Sequence, residues 1–178
     1  MKKIILCFNK TKKELNKIIV IIISILLVSC INPFAPSLSD AETDGLGDLK
    51  TIDGFFQAFQ YAYNMKDTII YSNLLSADFV FAYRDYEKGI NLTLTREEDM
   101  ITTYRLFSAA QKLDFIWNAI IINDGSEIER NILRSFSLTI TFPNDIPIYI
   151  KGNAYFILKR GDENENWKLS YWRDDSYY

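Results

Sequence analysis

Two hydrophobic patterns dominate the chain from residue 49 onward. In the first, apolar residues recur every three or four positions, which predicts an amphipathic helix with an aromatic buried face. Its positions are Leu49, Ile52, Phe55, Phe56, Phe59 and Tyr63. In the second, apolar and polar residues alternate, which predicts a strand with one face in the core and one in water. There Phe136, Leu138, Ile140 and Phe142 alternate with Ser135, Ser137, Thr139 and Thr141.

The segment between these patterns predicts two more helices and a strand. Residues 68–75 favour a short helix and residues 79–83 a short strand. Thr95 and Glu98 form a capping box that opens a third helix. The buried face expected for this helix consists of Met100, Ile101, Tyr104 and Phe107. The sequence after it is typical of strands, and an Asp-Gly hairpin turn is predicted at residues 123–126.

The C-terminal strands complete an α+β order of elements. Gly152 interrupts a predicted strand and is expected to mark a bulge or a bend. In the last strand, alternation places Trp167, Leu169 and Tyr171 on one face and Lys168, Ser170 and Trp172 on the other. Helices followed by a run of antiparallel strands predict an α+β domain with the helices packed on the sheet.

The first 29 residues have the layout of a secretory signal. They hold six lysines and one glutamate, all before an apolar run at residues 18–28. That run is shorter than the roughly 20 residues of a spanning helix. It ends in Leu-Val-Ser-Cys, which resembles the lipobox of bacterial lipoproteins. The resemblance implies a signal peptide at residues 1–29 and a membrane anchor through lipidated Cys30. The alternative is an uncleaved anchor whose cysteine is incidental.

The following residues predict a tether and one domain. Residues 31–48 are rich in Pro, Ser, Gly and Asp, so residues 30–48 are interpreted as a flexible tether and residues 49–178 as the domain. The lipoprotein resemblance places this domain in the bacterial cell envelope, outside the cytoplasm. Because Ile31 rather than an aspartate follows the cysteine, the outer membrane is slightly favoured where the cell has one.

Composition excludes several chemistries. Beyond residue 29 the chain has 14 Lys and Arg against 22 Asp and Glu, and an acidic body repels phosphate backbones, so we expect no nucleic-acid partner. The chain has no histidine, which removes Ser–His and Cys–His triads. Its two cysteines, Cys7 and Cys30, cannot build a four-ligand zinc site. We expect neither a metal nor a cofactor.

Three motifs, in order, resemble the nuclear transport factor 2-like (ketosteroid isomerase-like, cystatin-like) superfamily. They are "AYNMKDTIIYSNLLSADFVF", then "LTREEDM", then "GNAYFILKR" followed by "WKLSYWRDD". The resemblance spans residues 49–176. It implies helices packed on a strongly curved antiparallel sheet, forming a cone whose interior can hold a pocket and whose outer sheet face can be a dimer surface. The superfamily includes isomerases, dehydratases and hydrolases, so the fold does not supply the function.

Within such a cone, five aromatic residues are the candidate pocket: Tyr63, Tyr104, Trp117, Tyr155 and Trp172. The function expected is noncatalytic binding of a small apolar ligand or of an envelope partner protein, with a homodimer through the outer sheet face as a further expectation. The alternative is an isomerase- or dehydratase-like enzyme that uses pocket Tyr and Asp residues, for which Tyr83 and Asp85 are the nearest pair. Asp174 and Asp175 are expected at a solvated strand end.

Overall fold

The computed structural model describes residues 46–86 and 88–177. The signal peptide, Cys30 and most of the tether lie outside the described residues, so these predictions stay predictions. The described residues form three helices and six strands. Within them, no helix has both the length and the apolar character that crossing a membrane requires.

The three helices begin at residues that satisfy their free backbone N–H groups. Helix α1 is Ile52–Met65, helix α2 is Thr68–Leu74 and helix α3 is Arg96–Ala109. The Thr51 and Asp67 side chains accept hydrogen bonds from the first turns of α1 and α2. At α3, both bonds of the capping box between Thr95 and Glu98 are present, which confirms that prediction.

The six strands form one mixed sheet. They are β1 (Leu75–Asp85), β2 (Ile90–Thr95), β3 (Lys112–Gly125), β4 (Glu129–Thr141), β5 (Ile148–Lys159) and β6 (Lys168–Tyr177). Their order across the sheet is β2-β1-β6-β5-β4-β3, so the sheet has two edges and is not a closed barrel. Strands β1 and β6 are parallel, and all other neighbours are antiparallel. The α+β prediction, with helices packed on the sheet, is confirmed.

The core lies between α1 and one face of the sheet. Phe136, Leu138 and Ile140 are buried, whereas Ser135 and Ser137 on the other face are half-exposed, as the alternation predicts. We call the first face the inner face and the second the outer face. The helices contribute their aromatic residues to the cluster on the inner face.

Helix α1 also covers part of the free edge of β3. The Asn64 amide accepts from the Phe115 N–H at 2.6 Å and donates to the Phe115 carbonyl at 3.2 Å, as a neighbouring strand would. The Gln60 side chain accepts from the Trp117 N–H at 3.5 Å. Side chains of α1 thus satisfy the N–H and C=O of Phe115 and the N–H of Trp117 on this edge.

The buried face predicted for α3 is wrong at two positions. Ile101 and Tyr104 are 53% and 61% exposed, and the buried residues include Asp99 and Thr103 beside Phe107. The helix is rotated because the Asp99 carboxylate accepts a hydrogen bond from a buried tyrosine of α2. Hydrophobic periodicity cannot detect a face that contains a carboxylate and a hydroxyl.

The sheet is larger at its other edge than the sequence predicted. Strand β1 is longer than the predicted strand at residues 79–83, and it pairs with β2, which the sequence analysis did not predict. The polar residues of β2 alternate with half-buried Leu92 and Leu94, a pattern that is weak over six residues.

In β6, a bulge changes which residues face the core. Tyr171 pairs with Ile157 and Leu169 pairs with Leu158, which leaves Ser170 unmatched. The Ser170 hydroxyl donates to the Ile157 carbonyl at 3.0 Å. Because the extra residue reverses the alternation, Leu169 and Trp172 are both buried, and their predicted placement on opposite faces is wrong.

Gly152 allows β5 and β6 to approach closely, without a bulge at that position. A Cβ atom there would lie 2.4 Å from the Cα of Ser176.

We expect Gly152→Ala to lower the free energy of unfolding by about 1–3 kcal/mol, because overpacking displaces backbone. Urea unfolding measures this. Asn153→Ala, on the outer face of the same strand, is the control and should change stability by less than about 0.5 kcal/mol. Equal stability of the two variants would contradict the close approach.

Candidate functional site

The interior of the cone is filled by its own aromatic side chains. Phe59 of α1 is fully buried, and its ring contacts six other rings at centroid distances of 4.9 to 5.8 Å. The six are Tyr63, Tyr71, Phe115, Trp117, Phe156 and Trp172. Rings in offset and edge-to-face contact at such distances pack like a protein interior.

The five candidate pocket residues separate into two groups. Tyr63, Trp117 and Trp172 belong to the core, and the Trp117 indole N–H donates to the Phe56 carbonyl at 3.0 Å. Tyr104 is exposed on α3, and Tyr155 lies on the outer face, where its ring contacts Tyr171. The structure therefore brings three of the five together, as packing residues around Phe59, and not the other two.

A buried tyrosine–carboxylate pair joins α2 to α3. The Tyr71 hydroxyl donates to Asp99 Oδ2 at 2.9 Å, and the two residues are 0% and 4% exposed. Burial raises the pKa of the Asp99 carboxyl to about 6, although the Tyr71 hydrogen bond acts in the opposite direction. Burial also raises the pKa of the Tyr63 and Tyr71 hydroxyls. No motif or periodicity in the sequence predicted the pair of Tyr71 and Asp99.

A second polar group lies on the inner face where β1 and β6 are neighbours. Tyr83 is the register partner of Asp174, and both carboxylate oxygens of Asp174 accept from the Ser176 hydroxyl at 2.7 Å. Burial raises the pKa of Asp174. This residue is half-buried, whereas the sequence predicted a solvated position. Nearby in the sheet, the indole nitrogen of Trp172 is buried without a hydrogen-bond partner in the described residues.

The pair named from the sequence, Tyr83 and Asp85, is not a buried dyad. Asp85 accepts hydrogen bonds from the backbone and side chain of Lys88 in the turn between β1 and β2. Tyr83 instead stacks on Phe81, with ring centroids 5.7 Å apart. Asp85 therefore belongs to the turn, and Asp174 is the carboxylate beside Tyr83.

Three grooves lie on the surface of the described residues. One of about 430 Å³ is lined by Ser76, Lys159, Arg160, Gly161, Glu165, Asn166 and Lys168. Two others, of about 320 and 180 Å³, follow α1 and share Gln57 and Gln60. None of the three is lined by Tyr71 or Asp99. Within the described residues, no group of three or more Cys, Asp or Glu side chains could hold a metal ion.

The outer face is the largest surface of the sheet that the described helices leave uncovered. A row of register partners, Ile122, Leu133, Tyr155 and Arg173, crosses four strands. Three ion pairs lie within the face: Lys112 with Asp114, Lys159 with Glu129, and Arg173 with Asp175, whereas exposed Lys151 has no ion pair among the described residues. Such a face combines apolar and aromatic area with little net charge.

Asp99 gives the domain a specific dependence of stability on pH. Its pKa is higher in the folded than in the unfolded state, so its contribution to the free energy of unfolding is full below about pH 4 and is lost as the pH rises through about 6. We expect Asp99→Asn to remove this loss. Relative to the wild type, the variant should gain up to about 3 kcal/mol between about pH 4 and about pH 7.5. Urea unfolding at a series of pH values measures the difference.

Glu97→Gln is the matched control for this experiment. It removes a charge from the same first turn of α3 at an exposed position, so it reproduces any effect of the helix dipole, which is below about 1 kcal/mol. A pH-independent difference between Asp99→Asn and the wild type would contradict the burial of an ionisable acid.

The chain matches known proteins among solved structures only. No protein-family model matches the chain, and no curated protein matches it. Among solved structures, a candidate scytalone dehydratase from Novosphingobium aromaticivorans is 14% identical, with a TM-score of 0.63, over 73% of this chain and 84% of that one. A nuclear transport factor 2-like protein of unknown function in nutrient uptake from Rhodospirillum rubrum is 14% identical, with a TM-score of 0.59, over 72% and 99%.

A third similar structure supports the same conclusion. A nuclear transport factor 2-like protein from Cytophaga hutchinsonii is 14% identical, with a TM-score of 0.57, over 71% of this chain and 95% of that one. At such identities the likeness concerns the path of the backbone and not the chemistry of any site. The described domain has the nuclear transport factor 2-like fold.

Proposed function

We propose that this protein is a noncatalytic, membrane-anchored binding module of the bacterial cell envelope, which meets a protein partner through the outer face of its sheet. The observation that carries the proposal is the filled interior. The six rings around Phe59 occupy the space in which a small apolar ligand would otherwise be held. Recognition is then left to the surface.

The outer face has the composition of an interaction surface. Leu133, Tyr155 and Tyr171 are half-buried in the isolated chain, and Ile122 is 41% exposed. Tyrosine is enriched in protein interfaces, since it offers a large apolar area with a polar end. The Tyr155 hydroxyl donates to the Asn131 side chain at 3.2 Å, and Arg173 lies over the Tyr155 ring at 5.0 Å. These contacts hold the ring in place before any partner arrives.

The partner that fits this face best is a second copy of the chain. Beyond residue 29 the chain is acidic, with 22 acidic against 14 basic residues, so two copies repel each other over most of their surfaces. The outer face is an exception, because three ion pairs within it balance six of its charges. Two such faces can meet without bringing like charges together, and an isologous dimer results.

The dimer can be broken with one charge. We expect Leu133→Arg to convert the dimer into a monomer, with at least a tenfold weaker association, because it buries an unpaired cation at the centre of the interface. Analytical ultracentrifugation of the detergent-solubilised full chain measures the mass. Ile101→Arg introduces the same charge on the exposed surface of α3 and should leave the dimer intact. A wild-type chain that stays monomeric at about 100 µM would contradict pairing through this face.

The anchor is tested separately. We expect Cys30→Ala to move the protein from the membrane fraction to the soluble fraction of expressing bacteria, because acyl chains on Cys30 would supply the membrane affinity. Cys7→Ala lies in the same N-terminal segment and serves as the control, with fractionation expected to match the wild type. Unchanged fractionation of Cys30→Ala would count against lipidation at this residue.

The second candidate function is acid–base catalysis by Tyr71 and Asp99. The observation that favours it is the 2.9 Å hydrogen bond together with the raised pKa of Asp99, since a carboxyl that titrates near neutral pH can exchange a proton with a substrate. It requires a route from the surface to these two residues. A bound molecule in contact with Asp99 in a crystal structure would favour catalysis over the binding role.

A further inference from the structure

Arg134 of β4 holds an unusual position on the inner face. Its guanidinium lies 4.6 Å from the centroid of the Phe56 ring and 5.6 Å from that of Trp117. Its Nε donates to the Asn118 carbonyl at 3.1 Å. A guanidinium carries five N–H donors, so this contact fixes its plane and leaves four donors without an acceptor among the described residues.

The free donors border a groove between α1 and strands β3 and β4. The groove has a volume of about 180 Å³, and its lining is Asp53, Phe56, Gln57, Gln60, Trp117 and Arg134. The Gln60 amide uses its oxygen to accept from the Trp117 N–H. Its nitrogen therefore remains a donor next to the guanidinium. The groove combines aromatic walls with a fixed cation and amide donors.

Three other arginines of the domain lie over aromatic rings; exposed Arg84, over Tyr86, donates to the Gly89 carbonyl, and the other two have more acceptors. Arg173 lies over the Tyr155 ring, and its Nε and Nη2 donate to the Asp175 carboxylate at 3.2 and 3.1 Å. Arg160 lies 4.3 Å over the Trp167 ring and donates to three backbone carbonyls. Arg134 has the same stacked arrangement, but among the described residues it donates to one backbone carbonyl and to no carboxylate.

Asp53, the acid that lines this groove, forms no ion pair with Arg134 among the described residues, since no oxygen of Asp53 lies within 4.0 Å of an Arg134 nitrogen. Burial lowers the pKa of Arg134, whereas the charge of Asp53 raises it. The cation is thus partly desolvated and only partly compensated. With Asp53 close by, the site favours a singly charged planar anion over a phosphate dianion.

We propose that Arg134, with the amides of Gln57 and Gln60, binds the carboxylate group of a ligand in this groove. A carboxylate matches the flat fork of donors, and the rings of Phe56 and Trp117 hold that fork in place. A second groove of about 320 Å³ along α1 shares both glutamines and is also lined by Tyr61, Asn64 and Met65. The rest of the ligand lies there.

Two sources of the carboxylate are distinguished by the probes. Benzoate represents a small organic acid, and the tripeptide acetyl-Gly-Gly-Leu represents a peptide C-terminus. Benzamide and the amidated tripeptide are their neutral counterparts. Inorganic phosphate tests the preference for a planar monoanion. Isothermal titration calorimetry with the full-length protein in detergent measures each affinity.

We expect at least one of the two acids to bind, and its neutral counterpart to bind at least tenfold more weakly. Binding of benzoate alone would identify a small acid, and binding of the tripeptide alone would identify a chain terminus. No binding by either acid, or equal binding by phosphate, would overturn the proposal.

Variants then locate the site. Arg134→Gln should weaken acid binding at least tenfold, and Arg134→Lys, which keeps the charge but loses the fork, should weaken it severalfold. Arg84→Gln is the matched control, because it removes another guanidinium that lies over an aromatic ring, at an exposed position outside the groove. Near-ultraviolet circular dichroism checks that each variant is folded. Should Arg134→Gln fail to fold, Arg134→Lys decides. Unchanged affinity in Arg134→Lys, or an equal loss in Arg84→Gln, would contradict the site.

This site is independent of the outer face. Its residues lie on the inner face and on α1, so Leu133→Arg should leave acid binding intact, and Arg134→Lys should leave the dimer intact. Failure of either proposal does not affect the other.

Discussion

The packing of the Phe59 ring at the centre of the cone is the interaction on which the rest of the structure depends. Through it, α1 contacts one edge and the middle of the sheet: Phe115 and Trp117 of β3, Phe156 of β5 and Trp172 of β6. A sheet whose edges are β2 and β3 must curve around the helix to make these contacts. Because aromatic rings surround Phe59 in the interior, the space that defines a pocket in a cone-shaped fold is used here for stability.

Polar groups are found at the margins of this packing. Asp99 is buried beside Tyr71, at a cost that burial imposes on its charged form, and it fixes α3 against α2. Arg134 marks another margin, where its guanidinium lies over the buried rings of Phe56 and Trp117. A filled cone does not remove every binding site. It moves recognition from the interior to a groove and to the outer face of the sheet.

The sequence predicts elements well where hydrophobic and polar residues follow one period, and poorly where a polar residue enters the core. The aromatic face of α1 and the alternation of β4 could be predicted because their buried residues are almost all apolar. The orientation of α3 could not, since Asp99 and Thr103 are read as solvent-facing in any hydrophobic pattern. One signal was available: Asp99, Thr103 and Phe107 lie four residues apart and therefore share a face.

The register of the strands explains the remaining differences. A single unmatched residue, Ser170, reverses the alternation of β6, and no pattern within nine residues distinguishes a bulge from a regular strand. The environment of Arg134 depends on the pairing of β4 with β3 and on the position of α1. Contacts between residues far apart in the sequence, such as Arg134 on Phe56, follow from the fold and not from local sequence.

The central claim, that the cone is filled, is tested most directly by diffraction from crystals pressurised with xenon, because xenon occupies apolar cavities that are empty of water. With the interior filled, no xenon atom is expected among the rings that surround Phe59. A well-occupied xenon site in contact with Phe59, Trp117 or Trp172 would contradict it, and would restore a small apolar ligand as the molecule that this protein binds.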